Sequence, residues 1–236
     1  MSVTELTRPA GNSAIGPLPS GHPPVRPGKV GVVLINLGTP DGTDYASMRR
    51  YLKEFLSDRR VIELNRLIWL PILHAFVLTT RPQKSGANYR KIWNVERDES
   101  PLRTFTRSQG EKLGAALADL PEVVVEWGMR YGSPSMEDVV AKLTAQGCER
   151  VLAFPLYPQY SATTTATAND QLFRALMKIR RAPAVRTVPN YHDEPVYIDA
   201  LATSLQQHLA ALDFEPELII ASYHGLPKVN LEKGDP

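Results

Sequence analysis

The segment "KVGVVLINLGTP" (residues 29–40) carries the clearest structural signal in the chain. Val30 and residues 32–35 form a nearly continuous apolar run, which is typical of a strand buried on both faces of a parallel sheet. The run ends in a turn containing Gly and Pro, and a helical pattern follows at residues 45–58. This order of strand, turn and helix predicts the first unit of an α/β fold.

The same order recurs along the rest of the chain. Further strands are predicted at 123–127, 150–155, 184–187 and 217–223, and helical patterns separate most of them, at 135–146, 161–180 and 195–212. Five strands with intervening helices predict a parallel α/β architecture. Ligands of such sheets bind beyond the carboxyl ends of the strands. The segments to inspect are therefore residues 36–40, 128–131, 157–163, 190–193 and 224–227.

Composition narrows the class of protein. The 236 residues, 43% of them apolar, are enough for one large or two smaller domains. With 27 basic and 25 acidic residues the charge is nearly balanced, so we expect no nucleic-acid partner. Cys148 is the single cysteine, which excludes a disulfide framework and fits a cytoplasmic protein. Residues 1–28 are rich in Pro and Gly and predict a disordered leader.

The longest apolar run, "LIWLPILHAFVL" (residues 67–78), is shorter than the roughly 20 residues that a membrane-spanning helix needs. We expect it either to contact a membrane surface or to line an apolar pocket. We therefore expect a cytoplasmic protein, with peripheral membrane association if this run contacts a membrane surface.

Several common chemistries have no motif in this sequence. The G-x-G-x-x-G and Walker fingerprints of nucleotide sites, the G-x-S-x-G elbow of serine hydrolases and the H-E-x-x-H motif of zinc proteases are all absent. The predicted strand ends instead carry aromatic side chains, with arginines that could pair with carboxylates. These features fit a large planar apolar ligand with acidic arms, but from spacing alone they favour the alternative, ordinary core packing with surface arginines. The side chains are those of Tyr131, Tyr157, Tyr160, Arg81 and Arg130.

Two histidines have a context that singles them out. His224 follows the last predicted strand and precedes Gly225 and Pro227, a turn that would orient its ring. A neutral imidazole there could bind a divalent metal or accept a proton, or could serve only as a hydrogen-bonded turn residue. His192, beside Asp193, is the alternative metal or proton site.

These segments together resemble the ferrochelatase family. "SYHGLPKVNLEKGDP" (222–236) is similar to the family's histidine signature, a Ser-x-His-[Gly/Ser]-Leu-Pro run followed by Gly-Asp-Pro. "VGVVLINLGTP", "WGMRY" (127–131) and "FPLYPQYSATTT" (154–165) resemble its first strand, its Arg-Tyr pair and its Tyr-Pro-Gln-Tyr-Ser loop. "YRKIW" (89–93) and "SPLRTFTRSQGEKL" (100–113) resemble its pocket rim. The likeness runs from about residue 29 to residue 236.

The resemblance implies a fold of two Rossmann-like, chelatase-type domains, each a parallel β-sheet flanked by helices. The first would span residues 29–165 with a pocket lip at about 65–85, and residues 166–236 would begin the second, which is incomplete here. The implied activity is insertion of Fe²⁺ into a porphyrin, protoporphyrin IX, in the last step of haem synthesis. His224 would be the catalytic residue and metal ligand. The implied substrate-binding residues are Leu37, Arg81, Tyr89, Ser100, Arg130, Tyr131, Tyr157, Tyr160 and Ser161.

Two departures from the family pattern matter. Ala162 stands where some members have an iron–sulfur cysteine, so we expect no iron–sulfur cluster and no tightly bound cofactor, with Fe²⁺ only as substrate. The family also continues past Gly-Asp-Pro and supplies a catalytic glutamate there, so we expect a chain truncated relative to the family. The alternatives are a tetrapyrrole-binding fragment without turnover and a chelatase for another metal.

Overall fold

The computed structural model describes residues 28–236, and the predicted leader lies outside this range apart from residue 28. The strands are β1 (Lys29–Thr39), β2 (Val123–Gly132), β3 (Cys148–Pro155) and β4 (Ala184–Thr187). The helices are α1 (Tyr45–Leu56), α2 (Arg66–Ile72), α3 (Leu78–Arg90), α4 (Pro101–Ala116), α5 (Met136–Ala145), α6 (Thr167–Leu176), α7 (Pro195–Ala210) and α8 (Lys228–Glu232). Two π-helical turns, Leu73–Val77 and Ala162–Ala166, precede α3 and α6.

The four strands form one parallel sheet in the order β2-β1-β3-β4. The chain first moves from β1 to β2 on one side and then crosses to β3 on the other side of β1. The two loops that follow β1 and β3 therefore diverge, and such a switch point is where open α/β sheets bind ligands. The α/β class and the parallel sheet predicted from the sequence are confirmed.

Helices cover both faces of the sheet. Alternate side chains of a strand point to opposite faces, and on β2 Trp127 faces α4 whereas Gly128 faces α5. One core joins β1 and β3 to α5 and α6, with Val33 and Ile35 fully buried. The second joins α1 and the residues around the first π turn to Tyr131. Burial of each large side chain contributes about 1.5–3 kcal/mol, so these two cores hold the helices in place.

The sheet extends past the domain boundary that the sequence predicts at residue 165. α6 packs into the core beneath β1 and β3, and β4 pairs with β3 from Arg150↔Ala184 to Ala153↔Thr187. The first folded unit therefore reaches at least Thr187. The beginning of a second domain over 166–236 stays a prediction, and after Thr187 the chain forms α7, an irregular segment and α8.

The fifth predicted strand does not form. Residues 217–227 have no regular secondary structure, and Leu218 and Ile220 are 76% and 80% exposed. A strand needs a neighbour for its backbone N–H and C=O groups, and no described strand pairs with this segment. The apolar side chains of this segment are therefore exposed. The predicted strand, which was based on local hydrophobicity alone, is wrong.

The apolar run 67–78 lies in α2, the first π turn and the start of α3. Leu73 and Leu78 are buried against α1, whereas Leu67, Ile68 and Phe76 are exposed. Across the described helices, no stretch combines the length and the apolar character required to cross a membrane.

Candidate functional site

The candidate site lies at the carboxyl edge of the sheet, where three strand ends place predicted residues. Leu37 is near the end of β1, Arg130 and Tyr131 are near the end of β2, and Tyr157 to Ser161 follow β3. β1 and β2 remain paired as far as Thr39↔Gly132, which brings the first two groups side by side. Gly38 makes this pairing possible, because its φ is +107° and a Cβ there would lie 1.9 Å from the Tyr131 carbonyl oxygen.

Three of the predicted substrate-binding residues share one aromatic cluster. Tyr131 is fully buried and meets Phe55 edge to face at 5.1 Å between ring centroids. Tyr89 meets Tyr51 in the same way at 6.5 Å, and Leu37 packs against this cluster. The Tyr131 ring is thus enclosed by protein and supports the site from behind, while Leu37 and Tyr89 are only partly buried.

Arg130 is part of a buried polar network. Its guanidinium is 5% exposed, bonds Asp58, and donates from Nε to the Thr167 hydroxyl at 2.6 Å. The hydroxyls of Tyr131, at 2.7 Å, and Thr167 donate to the same Asp58 oxygen. The guanidinium carbon also lies 4.1 Å from the centroid of the Tyr131 ring. A buried charge pair of this kind is stable only when its remaining polar groups are satisfied, as they are here.

The electrostatics of this network follow from its contacts. Burial opposes ionisation of Asp58, but hydrogen bonds from Thr167, the Arg60 amide and Tyr131, together with the charge of Arg130, lower its pKa below the ordinary value. Burial raises the pKa of the Tyr131 phenol, so the phenol stays a neutral donor. Asp58 was missed by the sequence reading. The only sequence feature that could have indicated Asp58 is its position directly before Arg59 and Arg60, just after α1.

The loop after β3 is held by a second acidic residue. Ser161 is 3% exposed and donates to Asp235 Oδ2 at 2.7 Å, while the Ala162 amide donates to Oδ1 at 3.1 Å. Lys233, two residues before Asp235, forms an ion pair with Glu63. The Gly-Asp-Pro end of the chain is therefore joined to the Tyr-Pro-Gln-Tyr-Ser loop. Asp235 was not singled out from sequence, although both motifs were.

Tyr157 lies in the same loop with its hydroxyl buried. Burial raises the pKa of this phenol, and its oxygen has no hydrogen-bond partner among the described residues. A buried hydroxyl without a partner costs free energy, roughly 1–3 kcal/mol, which is a feature that a ligand's polar group could relieve. Tyr160, three residues further along the loop, is 37% exposed.

The remaining predicted binding residues have different settings. Ser100 is buried as the N-cap of α4, where its hydroxyl accepts the Arg103 amide at 3.3 Å. Its hydroxyl therefore has a structural role. Arg81 is exposed on α3, and within residues 28–236 no carboxylate pairs with it. Its guanidinium is available to an acidic ligand.

His224 is not held against the other predicted residues. It lies in the exposed irregular segment, with Nδ1 2.7 Å from the Gly225 carbonyl oxygen. A carbonyl only accepts, so Nδ1 is the donor in this contact. His192 lies 3.9 Å from the Asp193 carboxylate and is also exposed. No group of three or more His, Cys, Asp or Glu side chains within the described residues could hold a metal ion.

A helix-covered parallel sheet with an aromatic cluster and a buried Arg–Asp pair at its carboxyl edge defines a doubly wound α/β protein. The sequence profile of the family described as Ferrochelatase matches residues 29–236. The chain is 70% identical over 217 residues to "Ferrochelatase" of Mesorhizobium japonicum, covering 92% of this chain and 62% of that protein. It is 65% identical over 218 residues to "Ferrochelatase" of Chelativorans sp., with the same two coverages.

A third relative, "Ferrochelatase" of Brucella ovis, is 67% identical over 208 residues, which are 88% of this chain and 59% of that protein. The chain belongs to the ferrochelatase family. It spans about three fifths of the length of these curated relatives.

Proposed function

We propose that this protein inserts Fe²⁺ into a porphyrin, with protoporphyrin IX as substrate and haem as product. The observation that carries the proposal is the family match over residues 29–236, because it includes every strand-end segment that forms the candidate site. Ferrous iron enters as a substrate. We propose no tightly bound cofactor and no iron–sulfur cluster, since Ala162 follows Ser161 and Cys148 is buried in the core.

The proposed porphyrin site uses the rigid edge of the sheet. Leu37 and Tyr89 offer apolar surface backed by the enclosed Tyr131 ring. Arg81 would pair with a carboxylate arm of the porphyrin, because its guanidinium is exposed and no acidic side chain of the described range holds it. A wall that is packed from behind can resist the macrocycle and hold it in a bent shape.

The proton chemistry is assigned to His224. Two pyrrole N–H protons must leave the porphyrin as iron binds its four nitrogens, and a base must accept them in turn before releasing them to water. With Nδ1 donating to Gly225, the Nε2 atom of His224 is free to accept a proton or to contact the metal. We expect His224→Ala to lower the rate of metallation by at least about tenfold, with porphyrin binding retained.

The experiment separates binding from turnover. Quenching of protein fluorescence by protoporphyrin measures binding, and formation of the haem absorption spectrum with Fe²⁺ measures insertion. Zn²⁺ and Co²⁺ assayed in parallel test the preference for iron. His208→Ala is the matched control because His208 is exposed on α7. Unchanged metallation by His224→Ala would remove His224 from the mechanism.

A second candidate function, tetrapyrrole binding without turnover, is favoured by a specific observation. His224 lies in an exposed segment without regular structure, and the described residues contain no group of three or more His, Cys, Asp or Glu side chains that could hold a metal ion. Saturable porphyrin quenching with no metalloporphyrin product would support this candidate over the first.

The proposed setting is cytoplasmic, with residues 67–78 resting on a membrane surface. Leu67, Ile68 and Phe76 present an exposed apolar strip there, which could bury itself in the interfacial region of a bilayer. We propose residues 65–85, which include this strip, as the lip of the porphyrin site. We propose the part of the predicted range 166–236 that lies beyond β4 as the beginning of a second domain. Flotation with lipid vesicles, compared between the protein and a Phe76→Ser variant, tests the membrane contact.

A further inference from the structure

An open cleft of about 640 Å³ lies between α1 and α6. Its α1 wall consists of Arg50, Lys53, Glu54 and Ser57, which are spaced to share one face of the helix. Residues of α6 and of the segment after α1 also line the cleft. The residues that complete the lining are Asp58, Arg59, Arg66, Arg130, Gln171 and Arg174.

The lining is strongly basic, with six cationic and two acidic side chains. Both acids are already engaged, since Asp58 bonds Arg130 and Glu54 accepts the Gly132 amide at 3.0 Å. By contrast, four cations have no carboxylate oxygen within 4.0 Å in the described part of the chain. These are Arg50, Lys53, Arg59 and Arg66. Like charges held together in a concavity without counter-charges attract anions.

The floor of the cleft is preorganised. Arg130 is 5% exposed and is fixed by Asp58 and Thr167, while Gln171 accepts from Arg130 and from Arg174 at 3.4 Å each. Arg66, which also lines the cleft, donates to the Ser57 carbonyl oxygen. A cleft whose arginines are held before a ligand arrives loses less conformational entropy on binding.

We propose that this cleft is a binding site for a small multivalent oxyanion, a molecule with two or more carboxylate or phosphate groups. Guanidinium groups match these groups with paired hydrogen bonds. The volume is within the range of small-molecule sites and exceeds what one phosphate would fill. Four unpaired cations call for a ligand with several negative charges. Binding of the oxyanion is measured in the absence of porphyrin, so its result is independent of the proposed iron insertion.

The test is calorimetric titration of the full chain with citrate and with pyrophosphate at low ionic strength, which distinguishes a carboxylate from a phosphate ligand. We expect one saturable site for at least one probe, and weaker binding as salt is added. The double variant Arg59→Gln/Arg66→Gln should weaken binding by about tenfold or more, because each charge-assisted hydrogen bond contributes that order of effect.

The matched control is Arg180→Gln/Arg181→Gln, a second exposed arginine pair outside the cleft. It removes the same total charge and should leave the affinity unchanged. A second cleft variant, Arg50→Gln/Lys53→Gln, guards against misfolding of the first, with thermal unfolding measured for both. Equal weakening by the cleft and control pairs, or absence of saturation with both citrate and pyrophosphate, would overturn the proposal.

Discussion

Replacement of Asp58 by asparagine tests the network behind the candidate site. The Asp58 carboxylate is 3% exposed, and one of its oxygens accepts from Arg130, Tyr131 and Thr167. Asparagine keeps the size and one acceptor oxygen but removes the charge that balances the buried guanidinium. Breaking a buried ion pair in this way costs roughly 3–5 kcal/mol. We expect the free energy of unfolding to fall by ~3 kcal/mol, the lower end of this range, because the amide oxygen of asparagine still accepts a hydrogen bond.

For a chain of this length, ~3 kcal/mol lowers the unfolding midpoint by about 6–12 °C. Circular dichroism melting and urea titration of both proteins measure the change. Asp170→Asn is the matched control, because it removes the partner of Arg60 at 3.0 Å where the two side chains are 44% and 28% exposed. A surface pair of this kind contributes only about 0–1 kcal/mol.

Equal losses for the two asparagine variants would refute the reasoning, since burial would then have no effect on the strength of the pair. A double-mutant cycle with Arg130→Gln locates the cause. Once the guanidinium is gone, Asp58→Asn should cost less than in the native chain, with a coupling free energy of about 0.5–3 kcal/mol. Additive losses would show that Asp58 acts through another contact.

Three further outcomes are expected. Because the pKa of Asp58 is lowered from 3.8, its stabilisation is present above that pH and disappears as the pH falls through the folded-state value, so acid should narrow the gap between native protein and Asp58→Asn. Asp235→Asn should speed hydrogen exchange at the Ala162 amide by about fivefold, since one hydrogen bond contributes ~1 kcal/mol. Gly38→Ala should destabilise by about 1–3 kcal/mol more than Gly147→Ala in urea, because both have positive φ but only Gly38 has a backbone carbonyl in the way.

The sequence predicted well wherever the signal was local. The apolar run of β1, the turn after it and the periodic pattern of α1 each arise from neighbouring residues, and all three are present. The failure at residues 217–227 has the opposite cause. Apolar composition there suggested a strand, but a strand forms only when another one supplies hydrogen-bond partners, and none of the described strands does.

The site was predicted in parts. Strand ends in a parallel sheet meet at one edge, so the sequence could place Leu37, Arg130 and Tyr131 together. It could not reveal that Tyr131 is enclosed or that Ser100 caps α4, because burial and capping depend on which helix covers a side chain. His224 lies in an exposed segment without regular structure, and its role in the site stays a prediction.

Residue order along the chain was therefore sufficient for the α/β class, the parallel strands and the family. Those features depend on short-range periodicity and on motifs that are read without coordinates. The partners of Arg130 and Ser161 could emerge only in the folded chain, since Asp58 is 72 residues from the first and Asp235 is 74 residues from the second. Contacts at such separations are set by how the helices pack on the sheet, and no local pattern encodes them.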